Sequence, residues 1–353
     1  MIYVIAAILI FGVLIALHEL GHFMAAKACG VRVNEFAIGM GPAIFKKTKG
    51  ETTYALRLFP MGGFCAMEGE EEDSGDPRAL NNQGFWKKLL IFAAGALMNF
   101  LTGLLIILVL YSSAKAFYSP TIENFADGCP LQSEAGLQTG DRILSINGEK
   151  IYIFSDVSLL LGLDKDDTVD LVVRRDGEKV RLDNFPMEKR EYMDQSGKAY
   201  TGYGIFFGVE KATVGSRIAN SWRSAVDFVR MTRLSLKMLF TGEAGIKDLS
   251  GPVGIVSTMS QMGEQSATAR DAVKQIAYFG AMIAVNLAVM NLLPIPALDG
   301  GRIFFIVINA LCLLLFRRQI PPKFENAIHA AGFILLMILM AVVMLQDVWK
   351  IIK

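Results

Sequence analysis

Long apolar runs alternate with polar segments along the chain, and four of these runs are candidates for crossing a bilayer. They cover residues 2–26, 89–111, 276–298 and 330–345. A helix needs about 20 apolar residues to cross the hydrocarbon core. The first two runs meet this length comfortably and the last is short. A further apolar stretch at 303–316 is too short to cross alone, so it is interpreted as a continuation of the third run or a surface segment.

Two polar segments carry the short runs that are typical of β-strands. Residues 31–45 and 53–64 are β-like and are interrupted by glycine and proline. Residues 119–210 indicate a soluble module, in which Asn147-Gly148 and Asp176-Gly177 are strong hairpin signals. Residues 169–174 alternate apolar and polar side chains, as a half-buried strand does.

The segment after this module predicts an amphipathic helix. Apolar residues such as Trp222 and Leu236 recur at helical spacing, while arginines and lysines occupy other faces. The helix lies on the bilayer surface or packs on the soluble module, and the pattern leaves both interpretations open.

Basic residues near the run ends predict the orientation. Lys27 follows the first run, Lys87 and Lys88 precede the second, and the arginines at 302, 317 and 318 follow the third. If the helices alternate, all of these lie on one side, which the positive-inside rule makes cytoplasmic. The soluble module is then outside.

Composition supports a membrane protein. Of the 353 residues, 53% are hydrophobic and 20% are charged, and the mean hydropathy is +0.41. A net charge of +1 gives no reason to expect nucleic acid as a partner. The four cysteines lack C-x-x-C spacing, which weakens a disulfide or zinc-knuckle interpretation. The first run is interpreted as a retained helix, because a cleaved signal would discard the residues discussed next.

The strongest chemical signal is His18-Glu19-Leu-Gly-His22 at the end of the first apolar run. Residues four apart face one side of a helix, so the two imidazoles can bind one Zn²⁺ with Glu19 beside them as a proton acceptor. Such polar groups within an apolar helix are costly unless they are paired or functional.

A catalytic zinc needs a third protein ligand, and Asp299 is the best candidate. It follows Pro294 and Pro296, which break the helix, although a role as a simple helix cap is the alternative. At 1.5 Å per residue, His22 lies about 7 Å inside the boundary marked by Lys27. Asp299 is close to Arg302 in the same way, so one metal can reach both helices.

Three further polar residues lie near these ligands. Asn99 follows Gly95, which permits close helix approach; its amide orients an oxyanion or a substrate strand, or serves packing alone. Asn291 hydrogen-bonds an extended substrate or satisfies the broken helix. His329 begins the fourth run and is not expected to be a ligand.

These motifs resemble the site-2 protease family of intramembrane zinc metalloproteases. The likeness rests on HELGH, on the G-x-x-x-N that ends at Asn99 and on N-L-L-P-I-P-A-L-D-G from Asn291 to Gly300. Residues 128–148 resemble a PDZ domain, and S-G-P-V-G at 250–254 resembles a further segment that family members share. The match covers nearly the whole chain in the right order.

The resemblance implies a fold and a site. The fold is a polytopic α-helical membrane protein with about four transmembrane helices, a membrane-associated β-hairpin and one inserted extracytoplasmic PDZ (α+β) domain. It implies four parts: a membrane core with two spans and the re-entrant hairpin (1–112), the PDZ domain (115–211), an amphipathic or interfacial connector (212–260) and a second core with two spans (261–353). The implied ligands are His18, His22 and Asp299, with Glu19 as general base.

The resemblance also implies substrates and a location. Family members cleave transmembrane segments of single-pass proteins, such as anti-sigma factors and signal-peptide remnants, in the bacterial cytoplasmic membrane. Substrate contacts are implied for the hairpin and the third run, which gives the candidates Gly39, Gly41, Gly62, Gly63 and Asn291, to which Asn99 is added. Two rival functions remain: a catalytically inactive protein that binds membrane substrates, and a metal transporter.

Overall fold

The structure is a computed structural model that describes residues 2–70, 74–163, 167–193, 199–318 and 320–352. Its helices are α1 (Ile2–Ala28), α2 (Phe85–Ser112), α3 (Ser155–Leu163), α4 (Val214–Thr241), α5 (Pro252–Gln265), α6 (Ala269–Asn291), α7 (Asp299–Phe316) and α8 (Pro322–Ile352). Within these described ranges, five helices are long and apolar enough to cross a membrane: α1, α2, α6, α7 and most of α8. The chain is therefore a multi-span helical membrane protein.

The number of candidate spans is five rather than the predicted four or so, counted over the described part of the chain. The apolar stretch 303–316 belongs to α7, which starts earlier, at Asp299, and so reaches 18 residues. The third predicted run is shorter at its end than expected, because α6 stops at Asn291, before Pro294 and Pro296. The prolines thus separate two helices instead of interrupting one run near its end.

The β-like segments between α1 and α2 form two long antiparallel strands, β1 (Val33–Lys49) and β2 (Thr52–Met67). Both strands bend, so that Ile38 of β1 has partners in two parts of β2, Leu56 and Gly63. The segment 63–67 therefore pairs with the first part of β1 and lies at an edge of this sheet. Large apolar side chains of this sheet, such as Phe45 and Phe59, are more than half exposed.

Glycines let α1 approach both the hairpin and α2. A Cβ on Gly21 would lie 2.9 Å from the carbonyl carbon of Ala94, and one on Gly12 would collide with the carbonyl oxygen of Pro60. The other face of α1 packs on α5 and α6 in a cluster that includes Leu14, Met259 and Ile276. α1 is thus fixed between the hairpin, α2 and the later helices.

The chain forms two compact units, Met1–Leu110 with Phe228–Lys353 and Tyr111–Asp227. The first unit contains the candidate spans. The α4 helix belongs to both, and in the first unit Phe228 packs on Tyr278 of α6 while Thr232 hydrogen-bonds Asn286. The second half of the predicted amphipathic helix therefore packs on a helix of the membrane unit.

The second unit is built on a sheet with the order β10-β3-β4-β6-β7, in which β5 also pairs with β4. Its strands are β3 (Ala116–Phe125), β4 (Arg142–Ile146), β5 (Glu149–Lys150), β6 (Thr168–Arg175), β7 (Glu178–Pro186) and β10 (Ile205–Lys211), and the pair β8 (Arg190–Met193) and β9 (Ala199–Gly202) stands apart. Both predicted hairpins are confirmed. Asn147-Gly148 joins β4 to β5 and Asp176-Gly177 joins β6 to β7, and all four residues have positive φ.

Candidate metal centre and its cavity

The candidate catalytic and metal-binding residues of α1, His18, Glu19 and His22, line a cavity of about 860 Å³ in the first unit. His18 and His22 are one helical turn apart, so both rings point to the same side. Asp299, the first residue of α7, lines the same cavity. The broken segment between α6 and α7 thus delivers a carboxylate to the level of the two imidazoles.

Three donor atoms converge at this point. His18 Nε2 and His22 Nε2 each lie 3.2 Å from Asp299 Oδ2, and the two nitrogens are 3.2 Å apart. A tetrahedral zinc with bonds of about 2.0–2.1 Å holds its ligand atoms about 3.3 Å from one another. The triangle therefore has the dimensions of one face of a zinc coordination sphere.

Hydrogen bonds turn the imidazoles towards this point. The Nδ1–H of His22 donates to the carbonyl oxygen of Ile91 at 2.8 Å, which leaves the Nε2 lone pair directed at Asp299. His18 Nδ1 lies 3.4 Å from the Asn99 amide and 3.5 Å from the Asn291 amide. With Nε2 used as a ligand, His18 Nδ1 carries the proton and donates a hydrogen bond to an amide oxygen.

Two buried oxygen atoms test whether the site fits a metal. Among the described residues, Asp299 Oδ2 is buried without a hydrogen-bond partner although it faces two imidazoles. The Oδ1 atom of Asn99 is likewise buried and lacks a partner in the described chain. Rotating the Asn99 amide by a half turn brings this oxygen to the His18 Nδ1–H. Both observations suit a cation held by the three donors, and the cluster of His18, His22 and Asp299 fits a zinc site.

Glu19 lines the same cavity beside the cluster. A Cβ on Gly63 would lie 3.4 Å from Glu19 Cγ and 2.9 Å from the Ala37 carbonyl oxygen, so the edge of β2 passes against this side chain. A glycine is needed here, because any larger residue would press on Glu19 or on β1. The β-hairpin thus forms one wall of the site.

The cavity also contains residues that the sequence pattern did not indicate. Phe64, Cys65 and Met67 of β2 line it, and at its rim Arg302 Nη2 pairs with Glu70 Oε1 at 3.1 Å. Burial, with smaller contributions from Glu19 and Glu70, raises the pKa of the Cys65 thiol to about 12. Phe64 ends the predicted strand 53–64 and residues 65–70 directly follow it, which is the one signal that could have pointed to this lining segment.

The predicted site residues lie at different distances from the metal cluster. It brings together His18, Glu19, His22 and Asp299 at the cavity. Asn291 also lines the cavity, whereas Asn99 is 1% exposed and reaches His18 from behind. The four predicted glycines are outside the lining residues: Gly39, Gly41 and Gly62 have positive φ in the bent hairpin, and Gly63 lies behind Glu19.

Two histidines one turn apart, a glutamate beside them and a carboxylate from a second helix define the class of zinc metalloproteases. The profile of peptidase family M50 matches residues 6–339. A protein of Clostridium perfringens strain 13, named "Putative zinc metalloprotease", is 38% identical over 347 residues, which cover 98% of each chain. Another so named in Clostridium acetobutylicum is 35% identical over 345 residues, which cover 98% of this chain and 97% of its own.

The regulator of sigma-W protease RasP of Bacillus subtilis strain 168 is 29% identical over 429 residues, and the alignment covers 98% of each chain. The chain therefore belongs to peptidase family M50 and is a zinc metalloprotease.

Proposed function

We propose that this metalloprotease cleaves transmembrane segments of single-pass membrane proteins inside the bilayer. The observation that carries the proposal is the position of the metal cluster, because His18 and His22 lie within one candidate span and Asp299 begins another. A hydrolytic site at this place meets peptide bonds that are themselves in the membrane.

The proposed roles follow from the geometry of the cavity. His18, His22 and Asp299 hold the zinc, and when bound it supplies Lewis-acid activation of water and of the scissile carbonyl. Glu19 accepts the proton of the attacking water and passes it to the departing amine nitrogen. Asn99 keeps the His18 ring in its orientation, since a ligand held by a second hydrogen bond loses less freedom when it binds the metal.

The edge segment 63–67 is proposed as the surface that binds the substrate backbone. Its register partners among the described residues are in β1, and its other side faces the cavity through Phe64 to Met67. An extended peptide can add to such an edge through main-chain hydrogen bonds. Asn291, which also lines the cavity, is proposed to hydrogen-bond the same extended backbone. Gly63 supports this role by allowing β2 to approach α1 closely, while Gly39, Gly41 and Gly62 allow β1 and β2 to approach each other within the bent hairpin.

A substrate helix must unwind before it is cut. A helical carbonyl is hydrogen-bonded within its own helix, and pairing with the edge of β2 replaces those bonds in the low-dielectric interior. Residues with weak helix propensity near the cut should therefore favour cleavage. A glycine or proline in the substrate supplies this property.

The location and the soluble module complete the proposal. We propose that Lys27, Lys87 and Lys88 lie at a cytoplasmic face near the metal cluster and that residues 115–211 lie outside the bacterial cytoplasmic membrane. We propose that the module with the PDZ likeness at 128–148 excludes substrates whose extracytoplasmic part has not yet been shortened by another protease. The relative named a regulator of sigma-W protease supports anti-sigma factors as one substrate class, with signal-peptide remnants as another.

The test is cleavage of a single-pass substrate by the full-length protein in membranes. Glu19→Gln should reduce the rate by at least about a hundredfold while zinc stays bound, because the variant lacks the proton acceptor but keeps the ligands. Glu264→Gln, an exposed glutamate on α5, is the matched control and should cleave normally. An inactive binding protein or a metal transporter would leave the substrate intact even without a mutation, and that result would refute the proposal.

A further inference from the structure

The segment that delivers Asp299 is held in an unfavourable backbone conformation. Between α6 and α7 the chain folds back tightly, with hydrogen bonds from Ile295 N to Leu293 O and from Leu298 N to Ile295 O. Ala297 has a φ of +76°, a left-handed conformation that residues with a Cβ rarely adopt. Such a conformation persists only when its surroundings impose it. Ala297 is two residues before Asp299 and lines the same cavity.

The imidazole of His329 is the side chain that contacts this backbone. The Ala297 N–H donates to His329 Nδ1 at 3.0 Å, so the neutral ring carries its proton on Nε2. The ring also packs on Phe305 of α7, with centroids 5.3 Å apart. His329 thus connects α8 to both the turn before Asp299 and the helix that Asp299 begins.

A second contact from α8 supports the same docking. Gly332 is three residues after His329 and faces the same turn, where a Cβ would lie 2.9 Å from the carbonyl oxygen of Pro296. The close approach requires glycine, because any side chain would push α8 away from the turn. Two residues on one face of α8 therefore fit the backbone of Pro296 and Ala297.

We infer that His329 is a positioning residue for the metal centre. By accepting the Ala297 N–H, it holds the turn in the left-handed conformation that places the Asp299 carboxylate between the two imidazoles. His329 is not itself a ligand, since its Nδ1 is used by the backbone and the cluster consists of His18, His22 and Asp299. The inference rests on the proposed role of Asp299 as a ligand.

The test measures how firmly the full-length protein retains zinc in detergent. Purified variants are dialysed against increasing concentrations of a chelator, and the zinc content that remains per protein is measured by mass spectrometry. His329→Asn places an amide oxygen where Nδ1 lies, whereas His329→Gln carries the same amide one carbon further out. Phe333→Leu, an exposed residue one turn along α8, is the control for general changes in this helix.

His329→Gln should lose zinc at about a tenfold lower chelator concentration than the unmutated protein, as for other residues that orient metal ligands. His329→Asn and Phe333→Leu should stay within about twofold of it. The Asn and Gln variants carry the same amide and differ only in the length of the side chain. A folding defect common to polar substitutions would therefore lower zinc retention equally in both. Equal zinc retention in the Asn and Gln variants would overturn the inference.

Two further variants separate this inference from the proposed function. Asp299→Ala should lose zinc more readily than any other variant, and retention at the normal level would refute the ligand role itself. Adding Ala297→Gly to His329→Gln should recover part of the retention, because glycine adopts positive φ without strain. If Asp299→Ala loses zinc and His329→Gln does not, the ligand role stands and the positioning role is wrong.

Discussion

Replacing Gly95 by alanine would place a methyl group against both imidazoles of the metal centre. Gly95 lies on α2, where the added Cβ would collide with His22 Nε2 and lie 2.7 Å from the Cε1 atoms of His18 and His22. Ordinary van der Waals contact begins at 3.4 Å. The His18 ring must therefore move by about 0.7 Å for the methyl group to fit, and the His22 ring by more than that, because its Nε2 is the closer atom.

Such a shift is large on the scale of metal coordination. Metal–ligand distances tolerate only about 0.2 Å, so at least one imidazole is displaced from its bonding position. We expect zinc affinity to fall about a hundredfold, which corresponds to about 2.7 kcal/mol. The helix itself should not weaken, because alanine has a higher helix propensity than glycine by about 1 kcal/mol.

Gly103→Ala on the same helix provides a matched control. Its Cβ would meet Val285 Cγ2 at 2.8 Å and the Ala281 carbonyl oxygen at 2.9 Å, both on α6 and away from the metal cluster. Zinc content after dialysis against a chelator, together with thermal unfolding, measures both effects. Gly95→Ala should lose zinc and Gly103→Ala should keep it at a lower melting temperature. Equal zinc retention in the two variants would refute the geometry of the site.

Three further predictions concern other parts of the structure. Asp347 is 2% exposed and accepts hydrogen bonds from the backbone amides of Gly251 and Gly254 at the start of α5. Asp347→Leu should lower the free energy of unfolding by about 2–4 kcal/mol. An unchanged melting temperature would contradict this. Arg175, at the end of β6, binds fully buried Asp141 at 2.7 and 2.8 Å. Arg175→Met should therefore lower the free energy of unfolding by about 3–5 kcal/mol and speed amide hydrogen exchange in the sheet β10-β3-β4-β6-β7. Exchange elsewhere in the chain should stay unchanged and serves as the control. Cys65, whose pKa is raised to about 12, should be alkylated at pH 8 at least about a hundredfold more slowly than in the unfolded chain, as mass spectrometry can measure; equal rates would contradict its burial.

Local sequence patterns predicted the helix positions of the candidate metal ligands. The spacing of His18 and His22 fixes their common face on any helix, and the depth argument predicted that Asp299 reaches the same level, which the structure bears out. The hairpins at Asn147-Gly148 and Asp176-Gly177 were predictable for the same reason, because their turn residues determine the local backbone.

Contacts between distant elements were not predictable in this way. Pro60 and Gly62 are a local signal for a bend in β2, but the resulting double pairing of Ile38 depends on a register that no local pattern encodes. The contact of Asn99 with His18 is of the same kind, because the face of α2 that meets α1 depends on close contacts such as that of Gly21 with Ala94. The contact of Ala297 with His329 joins residues 32 positions apart, and only the tertiary structure reveals it.

X-ray absorption at the zinc edge of the full-length protein is the most direct test of the metal centre. The account predicts a first shell of nitrogen and oxygen at about 2.0–2.2 Å with the scattering pattern of two imidazoles, and a changed shell in Asp299→Ala. A sulfur ligand at about 2.3 Å, which Cys65 in the cavity would supply, or a spectrum that Asp299→Ala leaves unchanged, would contradict it.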